Sequence, residues 1–128
     1  MTMERIGKYA IYLCNIIFGA VDELLYALIA FVAIDYITGI CVAAHDKKLS
    51  SNVGAKGISK KVAIFAMIAL SNIADRFLLK SGGALRTVTT IFYLSNECIS
   101  IFENVGHLGL PLPPKLQAIL KYFEKYNS

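Results

Sequence analysis

The sequence predicts an all-α integral membrane protein. Three transmembrane helices are flanked by an N-terminal interfacial helix and a short C-terminal amphipathic helix. Three observations predict this class. Hydrophobic residues make up 56% of the 128 positions and mean hydropathy is +0.58, more apolar surface than a soluble domain of this size can hide. Charged residues make up only 17%, which argues against an unstructured chain. Finally, apolar runs at 24–44, 62–79 and 84–105 rise about 27–33 Å each as helices, close to the thickness of a bilayer hydrocarbon core. The length allows one membrane domain, and no repeat or low-complexity tract divides it.

The first segment, 1–23, contains an apolar run at 9–21 that is short for a span of about 20 residues. Gly19 is a weak breaker, and no turn of useful length separates Val21 from Leu24. This segment reads as an interfacial helix, continuous with or bent from the first span, with Glu4, Arg5 and Lys8 at its polar start. The run ends in Val21-Asp22-Glu23 rather than a small-x-small cleavage site, so it is expected to be retained.

The first span, 24–44, is interrupted only by Asp35. The segment 45–61 follows as a loop with Lys47, Lys48, Lys56, Lys60 and Lys61 against Asp46 alone. Such lysine bias marks a cytoplasmic loop. Three spans then leave the N-terminus outside and the C-terminus in the cytoplasm. After the second span, 62–79, Lys80-Ser81-Gly82-Gly83 can close a tight outer hairpin. The third span, 84–105, leads to a cytoplasmic tail, 106–128. Pro114 can open a helix there, with Leu116, Ile119, Leu120 and Phe123 on one face and Lys121 and Lys125 off it. That helix suits either anionic headgroups or the side of its own bundle. Lys47, Lys48, Lys60, Lys61, Lys121 and Lys125 form the expected topology and lipid-contact set.

Ionisable groups inside spans each cost about 2.5–3.5 kcal/mol at a helix centre on insertion scales, so they face protein, a partner or water. Helix rise places Asp35 about 16 Å and Glu97 about 20 Å from the outer end, both near the midplane, and Asp75 about 6 Å below the outer surface beside Arg86. Arg86, Thr90, Tyr93, Glu97, Ser100 and Asn104 recur at intervals of 4, 3, 4, 3 and 4, one polar face of the last span. Such a stripe is either a hydrogen-bonded helix interface or the wall of an aqueous path. Asp35, Gly39 and Ala43 give the first span a small-residue face. Asp35, Gly39, Thr90, Tyr93, Glu97, Ser100 and Asn104 are therefore the candidate pore or oligomer-interface residues. Asp75 and Arg86 are expected to pair across the outer hairpin.

Other chemistries find little support. Cys14, Cys41 and Cys98 lie inside apolar runs and match no disulfide framework or zinc spacing. His45 and His107 are two spans apart in sequence with no nucleophile near them, and both read as interfacial or loop residues. No enzyme activity, cofactor, metal site or nucleic-acid interface is expected. Three short helices enclose no channel alone, so any water path requires several copies.

The strings Asp35-Tyr36-Ile37-Thr38-Gly39, KKLSSNVGAKGISKK (47–61) and FYLSNECISIFENVGHLGLPLPPKL (92–116) together resemble the toxin-secretion and phage-lysis holin family. The resemblance covers about residues 31–120 and is most specific in the last string. By motif match, the family's signature positions fall on Asp35, Gly39, Ser51, Gly57, Lys61, Glu97, Ser100, Glu103, Asn104, Gly109, Pro111 and Pro113. The resemblance implies a protein of the bacterial cytoplasmic membrane that forms homo-oligomers and opens lesions. The cargo it implies is a peptidoglycan hydrolase (endolysin) or a large toxin. One departure is that only Thr2 separates Met1 from Met3, so control by two starts with a basic residue between them is not supported. An antiholin, a non-lytic membrane scaffold and a small ion-conducting oligomer are the alternative readings.

Overall fold

Five α-helices form in the computed structural model, which describes residues 2–127; side chains at 120 and 123–127 lie outside the described residues. They are α1 (Met3–Phe18), α2 (Glu23–His45), α3 (Ser51–Ile73, extended by a π-helical turn at Ala74–Leu79), α4 (Ala84–His107) and α5 (Pro114–Asn127). The first three starts are fixed by local chemistry. Thr2, Asp22 and Ser50 stand in extended conformation, and each side chain accepts a hydrogen bond from the N–H three residues on, at Arg5, Leu25 and Val53. Each cap satisfies one of the orphan donors of a helix start.

The Ser50 cap changes one expectation. The segment 45–61 is a loop only to Ser50; α3 begins at Ser51, so Lys56, Lys60 and Lys61 are helical. The glycines at 54 and 57 look like loop residues but permit a close crossing instead. A Cβ on Gly57 would stand 3.2 Å from the Tyr36 ring, and the Tyr36 hydroxyl donates to the Gly54 carbonyl at 3.4 Å. Tertiary packing here overrides a weak local preference.

Helices α2, α3 and α4 make a three-helix bundle whose directions follow from the pairs that meet. Tyr36 reaches Gly54 while Asp35 reaches Lys61, so α2 and α3 are antiparallel. Asp22 meets Arg86 and Asp46 meets His107, so α2 and α4 run parallel and end side by side. The apolar core is small: Leu28, Val32, Ile64 and Ile68, with Phe18, Phe65, Tyr93 and Leu94 packed on it.

The interior is more polar than the outside. Among the described residues, Asp35, Ser71, Asn72, Asp75, Arg86, Thr90 and Glu97 are buried, against only Leu25, Leu28, Val32, Ile64 and Ile68 of the apolar side chains. Large apolar residues such as Ile34, Ile37, Leu70, Phe77, Val88, Ile91 and Phe92 face outward. Among the described residues, two helices, Glu23–His45 and Ser51–Leu79, are long and apolar enough to cross a membrane, yet only 17% and 28% of their most apolar stretches are buried. A core helix of a water-soluble protein would be buried along most of its length. α4 is of similar length, but Arg86, Glu97 and Glu103 lower its hydropathy.

α1 is a separate helix, not a continuation of α2. Gly19 breaks the chain at φ +81°, and a Cβ there would come within 2.6 Å of the Arg86 side chain. At the other end, Leu116 and Ile119 of α5 share an apolar cleft of about 420 Å³ with Phe31, Leu94, Cys98, Ile99 and Phe102. The described part of the α5 stripe thus turns toward the bundle. Lys121 is exposed, whereas the side chain of Lys125 lies outside the described residues.

Candidate functional site

The polar face of α4 lies against α2 and α3. Its central feature is the Lys61 ammonium, which donates to Glu97 at 2.7 and 3.0 Å and also to the Asp35 carboxylate. Three helices supply one group each. Asn104 Nδ2 donates to Asp35 Oδ1 and to Thr38 Oγ1, both at 3.0 Å. The Thr38 hydroxyl itself donates to the Ile34 carbonyl at 2.9 Å. Side chains of Asp35, Glu97 and Lys61 are 7%, 6% and 18% exposed, so both acids are buried and the ammonium is partly exposed. Ser100 lines two clefts of about 220 and 490 Å³ that share Asp35, Lys60 and Lys61 in their walls.

Two carboxylates share one ammonium in this cluster. With all three ionised it carries a formal charge of −1, in a region where an unpaired charge is costly. The Asn104 amide offsets part of that excess at Asp35. Gly39 stands 3.8 Å, measured from a Cβ built there, from Asn104 Nδ2, so the small-residue face of α2 admits α4 closely.

Placing Lys61 with the lipid-contact lysines is therefore corrected. Its backbone belongs to α3, two turns below Ile68, and its side chain turns inward because both acids lie on facing helices. Lys60, its neighbour, remains exposed, as do Lys47 and Lys48 in the turn after α2.

A second polar cluster sits where α1 meets the bundle. Arg86 Nη2 donates to the Ala20 carbonyl at 2.8 Å, Nη1 to Asp22 Oδ2 at 3.1 Å, and Nε to the Phe18 carbonyl. Asn72 Nδ2 donates to the carbonyls of Ile16 and Ile17 at 3.0 and 3.1 Å. Together they collect the orphan carbonyls at the end of α1. Burial pushes the Asp22 carboxyl up, but its bond from the Leu25 N–H and the Arg86 guanidinium outweigh this and hold it below the ordinary value of 3.8.

The expected pairing of Asp75 with Arg86 takes a different form. Asp75 accepts from the backbone N–H of Arg86 at 2.7 Å and of Leu85 at 3.1 Å, and from the Ser81 hydroxyl. Gly83 offers no side-chain cap to α4, so Asp75 caps it from the preceding helix. The guanidinium is free to serve α1 instead. Thr90 is fully buried and donates to the Arg86 carbonyl at 2.7 Å, while Tyr93 borders the apolar core. Thr90 therefore packs within this chain, while Tyr93 borders both the core and the cleft of about 490 Å³ beside the Lys61 cluster.

No buried side-chain nitrogen or oxygen among the described residues lacks a hydrogen-bond partner. The described bundle thus satisfies its own buried side-chain polar groups. Sequence reading assigns no partner to Asp22, Asn72 or Thr38, whose partners lie more than 50 residues away on other helices or at their ends. It also treats His45 and His107 as unrelated, although both contact Asp46. Those contacts hold the Asp46 carboxyl below its usual range, His107 contributing first and His45 second.

Comparison with known proteins adds a second line of evidence. A family model described as the bacteriophage holin family matches residues 12–125. An uncharacterised 14.9 kDa protein of the nagH 3′ region in Clostridium perfringens is 42% identical over 105 residues, 82% of this chain and 80% of that one. An uncharacterised protein of Listeria monocytogenes is 36% identical, covering 95% of this chain and 89% of its own length. A probable holin of Bacillus phage phi105 is 32% identical over 112 residues, 88% of this chain and 82% of that one. No solved structure matches.

Proposed function

Because the chain belongs to the bacteriophage holin family, we propose that it gathers in a bacterial cytoplasmic membrane and opens lesions through which a peptidoglycan hydrolase or a large toxin leaves the cell. It acts without catalysis, and its working form is a homo-oligomer. α2, α3 and α4 each span, with the N-terminus outside and the C-terminus in the cytoplasm. The lysines at 47, 48, 56 and 60 hold that orientation, since juxtamembrane basic groups favour the anionic inner leaflet.

The observation that carries this reading is the buried Lys61–Asp35–Glu97 cluster inside a bundle whose outside is apolar. A single copy keeps its charges between its own helices and its apolar surface against lipid. Crowding supplies an alternative arrangement. When several copies meet, α4 can turn its polar face toward a shared aqueous centre, where carboxylates and amides are hydrated rather than buried. Asp35, Gly39, Glu97, Ser100 and Asn104 then line or border the lesion, while Arg86 and Asp75 keep the outer turns folded.

A release assay in lipid vesicles tests it. Wild-type protein reconstituted at rising protein-to-lipid ratio is expected to release a protein-sized fluorescent dextran above a threshold ratio. Glu97→Leu leaves an apolar side chain on the face that must be wetted. It should still insert but shift the threshold upward at least about tenfold, on the scale of one lost charged contact. Undiminished dextran release by Glu97→Leu would sink the role of the stripe, and passage of small ions without dextran would sink the lesion.

A further inference from the structure

We propose that His45, Asp46 and His107 form a binding site for a divalent transition-metal ion with zinc-like preferences, tying the end of α2 to the end of α4. The parallel course of these two helices brings their last turns together. His107 Nε2 stands 2.9 and 3.0 Å from the two Asp46 oxygens, and His45 Nδ1 stands 3.3 Å from Asp46 Oδ1. One donor atom from each residue lies within 4.8 Å of the others. Zinc bound tetrahedrally at about 2.0–2.1 Å holds its donor atoms about 3.3 Å apart. The His–Asp distances of 2.9–3.3 Å already lie near that separation.

The chemistry of the donors selects the ion. Two imidazole nitrogens and one carboxylate oxygen are the three protein ligands of many zinc sites, with water in the fourth place. Magnesium and calcium prefer cages of oxygen alone. Two helix C-termini converge here, and the negative end of each helix dipole favours a cation.

The backbone is also held in place. The Asp46 N–H bonds the Val42 carbonyl at 2.9 Å, and Lys47 turns the chain away at φ +58°. On α4 the Leu108 N–H bonds the Asn104 carbonyl at 3.1 Å. Side chains of His45, Asp46 and His107 are 60%, 30% and 51% exposed, so an ion reaches them from water. Lys47 and Lys48 follow directly but are themselves exposed, where solvent screens their repulsion.

Metal-stripped full-length protein in detergent micelles, titrated with zinc chloride in a calorimeter, tests the site. The expected result is one ion per chain, no saturable heat with magnesium, and a raised thermal midpoint with zinc. His107→Ala and Asp46→Asn should each weaken zinc at least about tenfold and abolish the zinc-dependent rise in midpoint. Each variant also loses the His107–Asp46 contact, so the rise with zinc is read against that variant's own metal-free midpoint. Absence of saturable binding, a stoichiometry of one ion per two chains, or zinc affinity unchanged in His107→Ala would each overturn the proposal. The last would point to the cysteines or to scattered surface groups. The readout is binding and stability alone, so its outcome leaves lesion formation untouched.

Discussion

At the scale of single residues, the imbalance of two acids around one base makes a ranked prediction. Lys61→Met leaves Asp35 and Glu97 facing each other without a counter-ion. Removing one partner of a buried pair costs about 3–5 kcal/mol, and the partial exposure of Lys61 places the loss near the lower end. Asp35→Asn keeps the Lys61–Glu97 pair and removes the excess charge, so it should cost less than Lys61→Met. Thermal or denaturant unfolding of both variants in micelles measures the order; a reversed order would show that Lys61 is not the shared counter-ion.

Asp22 carries a pH dependence of definite sign. Its carboxyl titrates below 3.8 in the folded chain because of the Leu25 N–H and Arg86. A lowered folded value means that its stabilisation is present above the unfolded value and is lost as pH falls through the folded one. The carboxylate side chain is 43% exposed, so solvent screening keeps the effect small. The Leu25 amide resonance should report it directly, shifting with a midpoint below 3.8. A midpoint above that value would contradict the contact.

Between helices, the informative device is the cap that one element lends another. α4 begins after two glycines in left-handed conformation, Gly82 at φ +67° and Gly83 at φ +89°, and neither offers a side chain. The π-helical turn at the end of α3 delivers Asp75 to the Leu85 and Arg86 N–H groups. Asp75→Ala should therefore cost about 1–2 kcal/mol, the usual loss for a removed cap. Hydrogen exchange locates it: protection should fall at Leu85 and Arg86 while the middle of α4 stays protected. Uniform loss along α4 would mean that Asp75 supports the whole interface instead of the cap.

For the molecule as a whole, the inversion of polarity decides which solvent suits it. With a buried interior richer in polar than in apolar side chains, burial of apolar surface contributes little to holding the three helices together in water. In a bilayer the exposed apolar faces meet lipid, and interhelical hydrogen bonds and ion pairs supply cohesion. The expressed chain should sediment with membranes, resist extraction by high salt or alkaline carbonate, and require detergent. Recovery as a folded monomer in plain buffer would remove the foundation of the membrane reading.

The courses of α2 and α4, the outer half of α3 and the polar face of α4 are legible in the amino-acid order, because periodicity and apolar length are local properties. Signature strings also mark Asp35, Lys61 and Glu97 together. What they do to one another is a different kind of fact. Lys61 belongs to a lysine-rich stretch that reads as a loop, and nothing within it shows that the ammonium turns inward. The Ser50 cap, close contact at Gly57 and the antiparallel crossing of α2 and α3 decide that. Likewise, Arg86 serves α1 rather than Asp75, and His45 meets His107 across 62 positions, because parallel α2 and α4 end at one level. Pairings across a bundle depend on helix direction and rotation, which packing sets and single-chain spacing leaves open.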